Sequence, residues 1–339
     1  MEYIGLDVHL HSSTLHILDR LGGDVQTITI KGHWQKTVSW LRCRRRVFSI
    51  CYEASTGYGP VHDALAKISR RVVVAHPGHL RLIFRSKQKN DRVDAKKLAK
   101  LLYLDEVPQV HVPDVDARGW RELIEFRRKE VDKRTRVKNG IRGLLRIQGV
   151  AVPHVVRDLW TQKGRRWLQT FHFDGDHAQF QLEVLLLQLE QQDCVVATVT
   201  DRLNGLALRH PGIALLTTIP GVGIRIAEAV LACVDDPKRF ARINRIGAYF
   251  GLVPSQDASG SVNHLGHITK QGPATVRKFL VEAAWQAIRK CPAMRDYYER
   301  VMGGKSDRKK IAVVATAHKL VRCMLAMLRS GETWRYATT

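Results

Sequence analysis

The apolar and polar positions in residues 3–30 read as three strands. Tyr3 to Val8 reads as a first strand and Thr14 to Asp19 as a second. Leu21-Gly22-Gly23-Asp24 is a turn. Val25 to Ile30 is a third strand, with Val25, Thr27 and Thr29 alternating against Gln26, Ile28 and Ile30. The period then lengthens: Trp34, Val38 and Leu41 fall at helical spacing. Val47 to Tyr52 is a continuous apolar run, a buried strand ending at Glu53, and Ala54 to Pro60 is a loop. Val61, Leu65 and Ile68 share a helix face, and Arg71 to Ala75 is a further strand that Pro77-Gly78 stops. Hairpin strands followed by strands alternating with helices predict an α/β domain with the element order of the ribonuclease H-like fold.

Beyond residue 80 the pattern is helical. Arg81 to Lys89 is basic and poorly periodic, a loop or a segment facing nucleic acid. Asp91 to Tyr103 is a helix turning Val93, Leu98, Leu101 and Leu102 inward, and Pro108 and Pro113 mark a loop. Trp120 to Ile147 is a long helix with Leu123, Ile124, Val131, Ile141, Leu144 and Leu145 as its buried stripe. Pro153 to Asp176 reads as irregular. Ala178 to Asn204 carries Leu182, Leu185, Leu186, Leu189, Val196, Val199 and Leu203 near a heptad seam, as a coiled coil or as one arm of an intramolecular hairpin. From Ile213, two apolar helical runs flank Pro220-Gly221-Val222-Gly223, the hairpin of a helix-hairpin-helix element. Residues 255–272 are polar, glycine-punctuated and too long for a simple connector. Helices follow over 275–290, 294–302 and 309–328. The expected organisation is therefore an α/β domain over 1–150, a helical coiled-coil or linker over 151–205, and a mostly α-helical domain over 206–339.

Charge narrows the partners. Lys and Arg number 55 against 32 Asp and Glu, for a net charge of +23 and a pI of about 10.1. Such an excess points to a polyanion, nucleic acid first and a membrane surface second. No apolar run in the sequence approaches the roughly 20 residues of a spanning helix. The six cysteines (Cys43, Cys51, Cys194, Cys233, Cys291 and Cys323) form no CxxC pair and no zinc spacing with histidine. Free thiols and a chain that enters a strand at once, without a signal peptide, predict a cytoplasmic, nucleoid-associated protein. The 120–147 helix carries Arg127, Arg128, Lys129, Lys133, Arg134, Arg136, Lys138, Arg142 and Arg146, a candidate phosphate-contacting face whose competing reading is a solvated surface. Lys87, Lys89, Arg92, Lys96 and Lys97 are candidate substrate-facing charge. Gly221, Gly223 and Arg225 suit backbone approach to a phosphate at a helix N-terminus, and His264, His267 and Lys270 are further candidate phosphate contacts.

Chemistry concentrates in four acids. Asp7 ends the first strand, Glu53 ends a second core strand, and Asp91 and Asp94 stand three apart on one helix face. An aspartate at a strand end is, alone, an ordinary turn or cap residue. Four carboxylates carried to one end of a sheet repel one another unless cations neutralise them, and they suit divalent metal for phosphodiester chemistry.

The stretches IGLD, YEASTGYG around Glu53 and NDRVDAKKLA around Asp91 and Asp94 resemble the DEDD transposases of insertion sequences of the 110 type. IPGVGIRIAEAVLA, FARINRIGAYFGLVP and ASGSVNHLGHITKQGPATVRKFL resemble that family's C-terminal transposase domain. The resemblance spans nearly the whole chain, with two motif sets in the expected order. It implies a RuvC-like N-terminal domain whose acids are Asp7, Glu53, Asp91 and Asp94, binding Mg2+, two ions per site. It also implies a C-terminal serine that attacks DNA, which falls on Ser259 with Ser255 and Ser261 as neighbours. Further implications are donor and target DNA as partners, a structured guide RNA, and a homo-oligomer, dimer or tetramer. Attack by Ser259 would leave a 5′-phosphoserine and a free 3′-hydroxyl. The competing readings are a RuvC-like nuclease acting by hydrolysis and a non-catalytic nucleic-acid-binding protein. An actin-like ATPase is disfavoured because His9 and His11 crowd the turn where such an enzyme needs glycine and a small hydroxyl.

Overall fold

Strands β1 (Glu2–Val8), β2 (Ser12–Leu18) and β3 (Asp24–Lys31) form the expected antiparallel meander. A computed structural model describes residues 1–55, 57–83, 90–259 and 262–335, with only the backbone at 258–259 and 262–263. Helix α1 (Trp34–Arg42) leads to β4 (Phe48–Glu53), which pairs parallel with β1. Helix α2 (Tyr58–Ala66) then leads to β5 (Arg71–Ala75), parallel to β4. The sheet order is β3-β2-β1-β4-β5. Pro77-Gly78 does more than stop β5: it opens a short helix, α3 (Pro77–Ile83), as proline at a helix start does. Helix α4 (Asp91–Tyr103) has the predicted bounds.

The alternation in β1 assigns the two faces of this sheet. Ile4 and Leu6 pack with Val38, Leu41, Val61 and Leu65 from α1 and α2. Tyr3 packs on the opposite side, where Leu98, Leu101 and Leu102 of α4 meet Cys51 and Val73. Gly5 lies on that side too, and a Cβ there would run into the backbone of α4 at Ala95 and Ala99. Ala95 and Ala99 are themselves fully buried. Helix and strand thus meet with almost no side chain between them. The turn of α4 before Ala95, which carries Asp91 and Asp94, is brought to the Asp7 end of β1.

The chain divides into two compact units, Met1–Val115 and Asp116–Thr339. The division falls at the first residue of the long basic helix α5 (Val115–Ile147), so the body of this helix belongs to the second unit. A helix, α6 (Gln162–Thr170), forms inside the stretch expected to be irregular, its start capped by the Thr161 hydroxyl, which accepts from Gly164 N at 3.2 Å. Helix α7 (Asp176–Ala207) folds back on α5: Leu182 and Leu189 join Ile141, Leu144, Leu145 and Leu168 in one cluster. Those seam positions are used within the chain, as in the intramolecular hairpin reading.

Helices α8 (Pro211–Thr217), α9 (Ile224–Val234), α10 (Arg245–Tyr249), α11 (Ala274–Lys290), α12 (Pro292–Met302) and α13 (Lys309–Ser330) build the core of the second unit. Residues 306–330, which contain α13, are long and apolar enough to cross a membrane by length and composition, contrary to the sequence reading. Yet Ala312, Ala317, Leu320, Val321, Met324 and Leu325 are buried in this core, as in a core helix of a globular unit. The polar stretch from Pro254 forms two antiparallel strands, β6 (Pro254–Ser259) and β7 (Val262–Ile268), which among the described residues pair only with each other.

Candidate active site

The register of the parallel strands sets the first pair of acids. Leu6 stands opposite Tyr52, so Asp7 and Glu53 follow at the same level on adjacent strands, about 4.8 Å apart in the sheet. Both continue the side occupied by Gly5 and Cys51, where α4 packs. At the start of α4 the Asn90 side chain accepts from Arg92 N at 3.0 Å, and Asp94 N donates to the Asn90 carbonyl at 2.9 Å. This cap fixes Asp91 and Asp94 in the first helical turn, where the positive end of the helix dipole favours carboxylates.

One histidine joins the two sources of acid. His9 Nε2 lies 3.2 Å from Asp7 Oδ2 and 3.4 Å from Asp91 Oδ2. One ligand atom each from Asp7, His9 and Asp91 fall within 4.8 Å of one another. Burial lifts the Asp7 carboxyl above its ordinary 3.8; His9 pulls it back, while Asp91 and Asp94 push it further up. Asp94 pairs with Lys97 at 3.4 Å. Glu53 is the exposed last residue of β4 at the same edge. The acids are thus collected at one edge of the sheet, with His9 between Asp7 and Asp91. A half-buried carboxylate crowded by others is a place where a divalent cation relieves repulsion. His9 escaped the sequence reading as a participant; its signal was the Asp7-Val8-His9 spacing, which puts both side chains on one side of an extended chain.

The candidate nucleic-acid contacts divide into paired and unpaired groups. Lys87 and Lys89 lie outside the described residues. Lys96 pairs with Asp24, which also accepts from His16 at 3.1 Å, and Lys97 pairs with Asp94. On α5, Arg128 binds Glu125 and Asp132, Lys133 binds Glu130 at 2.7 Å, and Arg134 binds Asp193 at 3.3 Å. Arg127 Nε donates to Thr200 Oγ1 at 2.7 Å, and burial lowers its pKa. Lys138 and Arg142 lie over the Trp160 ring at 4.9 and 5.1 Å. Arg92 near the acids, and Lys129, Arg136 and Arg146 on α5, form no side-chain pair among the described residues; the last three are exposed.

In the second unit, Gly221 has φ +94, and a Cβ there would stand 2.7 Å from Ala287 N, so packing against α11 explains that glycine. Gly223 differs. It precedes α9, no side chain caps the helix, and a Cβ would meet nothing within 4 Å. The fold does not require a glycine there, whereas close approach of a ligand to the backbone would. Arg225 is committed to Asn204 at 2.6 Å and to buried Glu228 at 3.1 Å. Ser259 ends β6 opposite Val262. Ser255 Oγ lies over Gly266, and Ser261 lies outside the described residues. His264 stands opposite Asp257 across the strand pair. His267 and Lys270 are exposed at the end of β7 and just beyond it.

Comparison with known proteins follows the same two regions. A family model for the DEDD transposases of the IS110 type matches residues 4–148, and one described as "Transposase IS116/IS110/IS902 family" matches residues 213–299. The putative transposase y4qE of Sinorhizobium fredii is 30% identical over 236 residues, 69% of this chain and 57% of that protein. The transposase for insertion sequence element IS1111A of Coxiella burnetii is 25% identical over 338 residues, covering 99% of this chain and 92% of its own. A probable family 20 transposase of Pseudomonas aeruginosa is 23% identical over 343 residues, 94% of this chain and 99% of its own.

Proposed function

The chain belongs to the IS116/IS110/IS902 transposase family, and from that premise we propose that it cuts and rejoins DNA at the ends of an insertion sequence. In this reading the first unit is a ribonuclease H-like, RuvC-like domain with an acid site of Asp7, Glu53, Asp91 and Asp94, and Ser259 is the nucleophile. The observation that carries the reading is the seating of α4 on Gly5, which gathers acids from β1 and α4 at one sheet edge.

The residues fit a divalent cation by their donor set and by the burial and, after it, the neighbouring acids that raise Asp7. When bound, Mg2+ polarises a phosphate and stabilises charge on a leaving oxygen. The remaining roles belong to the protein. The acids would hold that cation, and Ser259 attacks the phosphorus of the scissile phosphodiester. The Oγ–P bond forms as the P–O3′ bond breaks, and the hydroxyl proton is balanced by protonation of the leaving 3′ oxygen. The products are a 5′-phosphoserine and a free 3′-hydroxyl. Because the ester keeps the phosphodiester's bond energy, a different 3′-hydroxyl displaces Ser259 and rejoins the strands without ATP.

Donor and target DNA, a structured guide RNA and a dimeric or tetrameric assembly complete the proposal. The net charge of +23 supports polyanion binding, as do the unpaired cations Lys129, Arg136 and Arg146 and the open helix start at Gly223. The RNA and the assembly rest on the family resemblance. The test is excision of the element from a plasmid carrying its flanking DNA. Asp7→Asn and Ser259→Ala proteins, shown to be folded by circular dichroism, are expected to lose excision. Wild-type excision by either variant contradicts the proposal, and DNA cut by Ser259→Ala but not by Asp7→Asn indicates hydrolysis at the acid site.

A further inference from the structure

The reading above assigns carboxylates alone to the metal, yet an imidazole lies within 3.4 Å of both Asp7 and Asp91. Its place is set by the fold. His9 N donates to Ser12 O at 2.8 Å, closing the turn between β1 and β2, and residue 9 follows residue 7 on the same side of the strand. Nε2 is the atom presented, 3.2 Å from one carboxylate and 3.4 Å from the other. Ligand atoms about 2.1 Å from an octahedral ion lie about 3 Å apart when adjacent. Nε2 therefore stands near that separation from each carboxylate oxygen, and the ligand atoms of the three residues lie within 4.8 Å of one another before any adjustment.

We propose that His9 is a metal ligand of this site, giving it a nitrogen donor and with it a preference for Mn2+ over Mg2+. The chemistry is that of the donor: Mg2+ takes oxygen ligands and gives up water reluctantly, whereas first-row transition ions accept imidazole. The proposal rests on the acids being the metal site.

The experiment is Mn2+ and Mg2+ binding to the purified full chain, with Mn2+ followed by electron paramagnetic resonance and its ligands by electron spin echo. The wild type and a His11→Ala control are expected to show nitrogen modulation on bound Mn2+. His9→Ala is expected to lose that modulation, to weaken Mn2+ about tenfold or more, and to change Mg2+ affinity less than about twofold. If His9 instead acts as an imidazolium that neutralises the two acids, its removal tightens both ions alike, which overturns the proposal. If Asp7→Asn abolishes Mn2+ binding while His9→Ala keeps both affinity and modulation, His9 is not a ligand and the acid site stands. If Asp7→Asn binds Mn2+ as the wild type does, the metal reading of the acids itself fails. Should His9→Ala not fold, the wild type alone decides: bound Mn2+ without nitrogen modulation overturns the assignment.

Discussion

Replacing Gly5 by alanine adds one methyl group at the point where β1 and α4 touch. That carbon would stand 3.0 Å from the Ala95 carbonyl carbon and closer still to the Ala95 oxygen and Ala99 nitrogen. Unstrained carbon–carbon contacts run about 3.5–4.0 Å, so α4 must retreat by about 1 Å. All the atoms met are helix backbone, and no flexible side chain can swing aside. Overpacking of this kind costs about 1–3 kcal/mol, and we expect the upper end. For a unit of this size that is a fall of order 10 °C in its thermal transition. The functional loss should exceed the loss of stability. A 1 Å retreat carries Asp91 and Asp94 away from Asp7, and a misplacement of that size costs about 10²-fold in rate. Thermal unfolding and excision are measured on the same preparation at a temperature where the variant is folded. A Gly5→Ala protein with wild-type melting and wild-type excision would refute the argument that this contact positions the acids.

Other predictions test other parts of the molecule. Glu2 is buried and bound by Arg44 at 2.7 Å and by Arg46 at 3.4 Å; the double variant Arg44→Ala/Arg46→Ala strands that carboxylate and should cost about 3 kcal/mol in urea unfolding of the first unit. Burial pushes Glu228 from its ordinary 4.5 up to about 7, against the pull of Arg225 and Arg127. Its protonated form therefore contributes stability that is full below about pH 4.5 and lost as pH rises through about 7, and Glu228→Gln should flatten the stability profile in that window. Changing Lys129, Arg136 and Arg146 together to alanine should lower the salt slope of DNA binding by about 2–3 and leave unfolding unchanged. Arg134→Ala, which breaks the pair with Asp193, should instead show itself in stability.

The first unit was largely legible because β1, β2, β4 and β5 bury much of their length, while β3, which has no buried residue, showed itself by its alternation after the Gly22-Gly23 turn. The strand-prone run Tyr3–Val8 and the apolar run before Glu53 gave the strand ends on which two acids sit, and the helical spacing of Val93, Leu98, Leu101 and Leu102 gave α4, whereas its Asn90 cap went unread. What joins these parts was not legible. The partners of Gly5 are Ala95 and Ala99, far along the chain, so its absent side chain has no local signal. His9 meets Asp91 for the same topological reason. The strand pair of β6 and β7 was missed because its described residues from Pro254 to Asp257 and from His264 to His267 are all exposed, leaving no apolar half to alternate. On α5 the cations looked like a free face, but Arg127 and Arg134 meet Thr200 and Asp193 of α7, and a helix read alone cannot show which charges its neighbour consumes.

The central claim is that Ser259 becomes covalently joined to DNA at a site that depends on the acids. The most direct measurement is mass spectrometry of the protein taken from cells carrying the element, denatured, stripped of non-covalent DNA and digested. The account predicts a nucleotide on Ser259 that disappears in Ser259→Ala and in Asp7→Asn. An adduct that persists in Asp7→Asn, or excision proceeding with no serine adduct, would contradict it.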